Sequence, residues 1–324
     1  MMYNHTHRRR TERRFTNGGI YIMKKFLAAM MSAVLALSLA ACGGATSSST
    51  PASAPASQPA SAPASQAASA PDSTAAVDYS AYTGATIDAI KAKGKLVLGT
   101  EAQYAPFEFL DANANFAGCD IWLAHQIADA LGVELEVMDM AFDGIIPAVK
   151  SSQVDLGIAG FTVDEDRAKE IDFSEVYQQD QQLLIVQKGN EDVYTSKEAL
   201  KGKTLGAQRG TVQSKLIQNA LPDCTLFELD KWPALALEVA GGKIDGLVVD
   251  GAVGEGLVAN NDGIVVANFE FSKEEANFGK AAVLKQGTDD LKELVNAVIT
   301  QVVADGSFEA AYEEAVAQAK TLGI

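Results

Sequence analysis

Histidine, cysteine and positive charge are scarce in this chain of 324 residues, which holds three histidines, three cysteines, and 26 lysines and arginines against 42 acids, a net charge of -16. The shortage of cations excludes a nucleic-acid partner, which needs a basic face. After Cys42 the only histidine is His125 and the only cysteines are Cys119 and Cys224. No spacing of a metal site results, and neither metal nor cofactor is expected. There is no Gly-x-Ser-x-Gly elbow and no phosphate-cradling Gly-x-x-x-x-Gly-Lys, and Gly251-Ala252-Val253-Gly254-Glu255-Gly256 misses the dinucleotide fingerprint. With so few acid-base groups, a binding protein is expected over an enzyme. His125, on a predicted helix face, reads as a packing residue. Cys119 and Cys224 fall in different halves of the fold, and two buried free thiols are expected, although an oxidising compartment permits a disulfide.

What charge there is divides unevenly. Residues 1–41 carry seven Lys and Arg against one acid, and everything after them is acidic. Residues 23–41 have the form of an export signal: Lys24-Lys25, an apolar run too short to span a bilayer, then Leu39-Ala40-Ala41 before Cys42. Residues 1–22 fit no such signal and are expected to lie upstream of the true start at Met23, because Gly18-Gly19 reads like a translated ribosome-binding sequence. Codons without a purine run at those glycines would remove that expectation. Residues 42–78 form a tether rich in Ser, Ala and Pro, with prolines recurring at Pro51, Pro55, Pro59 and Pro63. Such a segment cannot build a core, and its extended backbone reaches on the order of 100 Å.

The remainder alternates strands and helices, the pattern of a layered sheet. A strand at 95–99 leads to Glu101 and Tyr104, placed by Pro106 on a loop at its end. A helix ending at Gly132, a strand at 133–137 and a helix opened by Phe142-Asp143-Gly144 follow. Further strands are expected at 183–187, 203–207, 225–229 and 244–250, the last delivering Asp250. Thr195-Ser196-Lys197-Glu198 is a capping box for a helix ending near Gly202. Thr211 is a good N-cap, so the amides of Val212 and Gln213 open a helix that offers an anion seat.

Residues 154–177, VDLGIAGFTVDEDRAKEIDFSEVY, concentrate the chemistry. Val154, Leu156 and Ile158 alternate as in a short strand, and Ala159-Gly160 ends it in small residues that let backbone groups approach a ligand. Thr162 adds a hydroxyl. Arg167 either pairs with Asp164, Glu165 and Asp166 on a solvated helix start or grips a carboxylate, the anion its planar fork matches.

The small-residue strand end, Thr162, Arg167, Asp172-Phe173-Ser174 and Tyr177, in this order, resemble the polar amino acid-binding proteins that feed ABC importers, the bacterial extracellular solute-binding protein family three. The resemblance runs from about Lys95 to the C-terminus. It implies an α/β, two-lobed periplasmic-binding-protein-like (type II) fold, each lobe a mostly parallel sheet flanked by helices, with the ligand in the interlobe cleft. Lobe 1 would comprise 79–177 and 278–324 and lobe 2 178–277, with hinge crossings near 177–181 and 274–277. The ending Leu39-Ala40-Ala41-Cys42 resembles a lipobox, which implies a lipid on Cys42 and anchoring outside the cell membrane. The implied partners are an L-amino acid and an ABC permease with its ATPase, and the protein is expected to act as a monomer.

By the same resemblance, Arg167 would hold the α-carboxylate with backbone N–H groups near Thr162 and Val212. Asp250, the Gly160 carbonyl and the Thr162 hydroxyl would take the α-ammonium. Tyr104 and Phe142 would flank the side chain, and Gln213 matches a further ligand position. Glu101 stands where relatives that bind basic amino acids carry an acid, as glutamine binders also do; as an unpaired buried acid it would favour a cationic guest, so a polar L-amino acid with a basic or amide side chain is implied. Without the family, Asp250 reads first as a helix N-cap and the aromatics as core residues. Cys119, Asp164 and Val176 depart from the usual aromatic, Thr and Pro. A ligand-presenting chemosensory protein, or a periplasmic dehydratase on the same scaffold, are the alternative readings.

Overall fold

A computed structural model describes residues 77–276 and 278–324. The expectations for residues 1–22, the signal at 23–41, Cys42 and the tether up to residue 76 lie outside the described residues. In chain order the helices are α1 (Ala85–Lys93), α2 (Cys119–Leu131), α3 (Phe142–Lys150), α4 (Val212–Ala220), α5 (Trp232–Ala240), α6 (Gly251–Ala259), α7 (Lys273–Ala276), α8 (Asp289–Ala304) and α9 (Ser307–Leu322). The strands are β1 (Lys95–Thr100), β2 (Gln103–Tyr104), β3 (Glu108–Leu110), β4 (Phe116–Ala117), β5 (Glu134–Asp139), β6 (Leu156–Gly157), β7 (Asp172–Asp180), β8 (Gln182–Gln187), β9 (Thr204–Gln208), β10 (Thr225–Leu229), β11 (Gly246–Asp250), β12 (Ile264–Val266) and β13 (Phe278–Leu284).

Two five-stranded sheets, ordered β5-β1-β6-β13-β7 and β10-β9-β11-β8-β12, form the two lobes of a type II periplasmic-binding-protein fold. In the first, β1 pairs in parallel with β5 and β6, and β13 runs antiparallel to both β6 and β7. The second repeats this scheme with β8 as the reversed strand. Each sheet is therefore mixed, with four of its five strands pointing one way. The chain leaves the first sheet after Asp180 and enters the second at Gln182.

Alternation along the strands explains the layering. Leu96 and Leu98 of β1 pack into one apolar cluster and Val97 into another; in the second lobe Leu184 and Val186 face one cluster and Ile185 the other. A sheet covered on both faces needs apolar residues at both phases of the repeat.

Three local expectations are corrected. The capping box at Thr195 to Glu198 opens only a series of turns, with the Ser196 hydroxyl accepting from the Ala199 N–H at 3.3 Å. Tyr104 lies in a small antiparallel ribbon, β2-β3-β4, and not in a loop. His125 is exposed on α2. Cys119 and Cys224 are both free thiols, the first buried and the second half-buried.

Candidate functional site

The C-terminal ends of parallel strands meet in the cleft, where open α/β sheets gather their ligands. Glu101 follows β1; Ala159, Gly160 and Thr162 follow β6; Gln208 ends β9 and Thr211 caps α4; Asp250 ends β11. These residues, with Tyr104, Phe142, Arg167, Val212, Gln213 and Trp232, line a cavity of about 270 Å³ including its mouth. Most of that is mouth: the space that a water-sized sphere can occupy is about 10 Å³, so the lobes lie closed on a cleft with room for about one water. All nine residues that the sequence singles out for ligand contact share this wall.

Arg167 is buried, and its guanidinium turns away from the acidic cluster that surrounds it in sequence. Nη1 donates to the Thr162 carbonyl at 3.0 Å and Nη2 to the Gly210 carbonyl of the other lobe at 2.9 Å. The Phe142 and Phe161 rings each lie 5.4 Å from its central carbon and stack on one another at 4.7 Å. Burial lowers its pKa to about 10, so it stays charged at neutral pH. Asp164 and Asp166 are instead taken by Lys215 of the second lobe, at 2.7 and 3.1 Å. Of the two readings open for Arg167, the surface pairing is the one that fails.

Asp250 stands at the N-cap of α6 but makes no capping bond. Its carboxylate points into the cleft, where Gln182 Nε2 donates to Oδ1 at 2.5 Å and the Tyr104 hydroxyl donates to Oδ2. Gln213, buried on α4, donates to Gln182 Oε1 at 2.9 Å and so braces Asp250 through it. Thr211 accepts from the Ser214 N–H, the N-cap expected from sequence.

Gly160 adopts φ +54°, and a Cβ there would lie 2.6 Å from Tyr104 Cε1. Its N–H donates to Asp120 Oδ2 at 2.7 Å, and Tyr177 donates to the same oxygen at 3.0 Å. The backbone at this strand end is thus fixed from behind by a buried carboxylate.

The expectation of an unpaired Glu101 is corrected. Lys231 Nζ lies 2.5 Å from Oε1, and Gln208 Nε2 donates to Oε2 at 2.9 Å. Burial still raises its pKa, against the pull of these two donors. A buried carboxylate is costly alone, and the residue just before α5 is long enough to reach it from the other lobe.

Sequence reasoning missed Gln182, Gln208, Lys231, Trp232 and Lys280. Lys280 had a signal: a lone charge inside the apolar strand Phe278–Leu284, which must find a partner if buried. It is fully buried and its Nζ lies 2.5 Å from Asp250 Oδ2. Among the described residues, no group of three His, Cys, Asp or Glu could hold a metal ion.

Residues 96–318 match the bacterial extracellular solute-binding proteins, family 3. The chain belongs to this family. Its members are solute-binding proteins, and the expectation of a binding protein over an enzyme holds with the assignment. The chain is 32% identical over 216 residues to the putative ABC transporter arginine-binding protein 2 of Escherichia coli, covering 66% of this chain and 88% of that protein. It is 28% identical over 233 residues to the ABC transporter glutamine-binding protein GlnH of Bacillus subtilis, covering 71% and 84%. The crystal structure of the amino acid ABC transporter substrate-binding protein AbpA from Streptococcus pneumoniae, bound to L-arginine, superposes with a TM-score of 0.69 at 34% identity, covering 72% of this chain and 98% of AbpA.

Proposed function

We propose that this family member captures a polar L-amino acid, basic or amide-bearing, by closing its lobes, and delivers it to the permease and ATPase of an ABC importer while a lipid on Cys42 anchors it outside the membrane. One observation carries the reading: Arg167 and Asp250, buried and of opposite charge, come from different lobes and line the same small cavity. A zwitterion needs that pairing, with a guanidinium for the carboxylate and a carboxylate for the ammonium. The N–H groups at the start of α4 add donors on the anion side. Gly160, Thr162, Tyr104, Phe142, Val212 and Gln213 take the supporting roles described for them above, and Glu101 faces the ligand side chain. Both charges come from one chain, so a monomer suffices.

Relatives that carry arginine support a basic ligand, whereas the pairing of Glu101 with Lys231 favours an amide, because a guanidinium must share or displace that lysine. Thermal melting against the twenty amino acids tests the proposal, since a ligand that binds only the native form raises its melting temperature. Arginine, lysine, histidine or glutamine should give the largest shift, and the shift should vanish in Arg167→Ala. Absence of any shift, or one that survives that substitution, would overturn the reading.

A further inference from the structure

The amine end of this pocket already contains an ammonium group. Lys280, on β13 of the first lobe, is 0% exposed, and its Nζ lies 2.5 Å from Asp250 Oδ2 and 3.4 Å from Thr162 Oγ1. The Tyr104 and Phe107 rings lie 5.8 and 5.6 Å from that nitrogen, completing a cage. Asp250 and Thr162 are the two side chains to which the ligand's α-ammonium is assigned above. The lysine therefore bridges the lobes through the contacts that a bound amino acid would make.

We propose that Lys280 is a specificity-determining residue: its ammonium competes with the ligand's α-ammonium for Asp250, so the pocket rewards a free α-amino group less than its acidic residue alone would. The inference rests on the amine assignment made under the proposed function. Asp250 accepts from Gln182, Tyr104 and Lys280, and an ionised carboxylate offers about four lone-pair sites. A second ammonium finds little acceptor capacity left, beside a like charge and with little water to screen the repulsion. Asp180 does not stand in for it: its Oδ1 accepts from the Gln181 and Gly251 N–H groups, and the residue is not among those that line the cavity. Nothing in the cation-rich end of a Lys280-bearing pocket opposes a ligand whose α-nitrogen is missing.

Calorimetric titration of L-arginine and of 5-guanidinopentanoate, the same molecule without its amino group, into the wild type and Lys280→Met reads the competition directly. Methionine keeps the length and flexibility of the side chain without its charge. Deamination should cost the wild type less than about tenfold in affinity and the variant more than about 100-fold, the usual scale for stripping one partner from a buried charge pair. Arginine itself should bind the variant more tightly. An equal deamination loss in both proteins, or weaker arginine binding by the variant, would overturn the proposal. If Lys280→Met does not fold, the wild type decides alone: a loss above about 1,000-fold would mean that Asp250 meets the ligand amine unopposed. Should another amino acid prove to be the ligand, the basic preference fails, and the same comparison with that amino acid and its deaminated counterpart tests Lys280 unchanged. Binding of an amino acid by the variant only would support the competition. Binding by neither protein would overturn the amine assignment and the competition with it.

Discussion

Lys231 of the second lobe bonds to Glu101 of the first at 2.5 Å, joining the lobes at the side-chain end of the cavity. Glu101 is almost wholly buried, whereas about a third of the lysine side chain remains exposed at 34%. The lysine is therefore the easier partner to give up. A guanidinium ligand would take its place, and a neutral amide would leave it alone. Lys231→Met should tighten arginine by up to about tenfold, a modest gain because the exposed half of the pair is screened. Glutamine should change little. Calorimetry on both ligands checks this, and equal changes would remove Lys231 from the selection of side chains.

Arg167 is held by carbonyls from both lobes and by two aromatic faces, so its geometry matters as much as its charge. Lysine keeps the charge and loses the fork. Arg167→Lys should therefore lose binding almost as fully as Arg167→Ala, by several kcal/mol, as when one member of a desolvated charge pair is removed. Retention of wild-type affinity by the lysine variant would mean that only a point charge is needed there.

Much of this arrangement was legible in the sequence because period and punctuation are local signals. The strand at 225–229, the helix ending at Gly132 and the N-cap at Thr211 need only neighbouring residues to be recognised. Strand ends bring Glu101, Gly160, Thr162 and Asp250 together, and all nine candidates line one cavity. The charge partners were not legible, because Glu101 meets Lys231 across 130 positions and Asp250 meets Lys280 from another lobe. The expected helix after Thr195 failed although its capping box is a sound local signal: the N–H groups of Ala199, Leu200 and Lys201 bond three residues back and not four, which closes the segment in turns.

Gly160→Ala tests how tightly the strand end is fitted. The backbone is left-handed at φ +54°, and the new methyl would press on the Tyr104 ring, whose hydroxyl donates to Asp250. Strain and overpacking together should cost about 2–5 kcal/mol of stability. Because the displaced ring belongs to the site, amino acid affinity should fall as well, by about tenfold or more. A variant that melts earlier but binds normally would show that Tyr104 does not position Asp250 for the ligand.

The last prediction concerns pH and the carboxylate behind Gly160. Asp120 is wholly buried, and burial outweighs its bonds from the Gly160 N–H and the Tyr177 hydroxyl, so its pKa rises from 3.8 to about 6. Glu108, buried beside it, is pushed well above its ordinary range, first by burial and then by the charge of Asp120. A carboxyl with a raised folded pKa binds its proton more tightly in the folded chain than in the unfolded one. Its stabilising contribution is complete below about pH 4 and is lost as pH rises through about 6. Carboxyls with lowered values act in a separate window: Asp290, which accepts from the Thr86 and Ile87 N–H groups, costs stability only as pH falls below the ordinary aspartate range. Between about pH 4.5 and 7.5 the wild type should therefore lose about 2 kcal/mol relative to Asp120→Asn, which has no proton to release there. Denaturant melts of both proteins at several pH values measure the difference, and parallel profiles would show that Asp120 titrates no differently in the folded and unfolded chains.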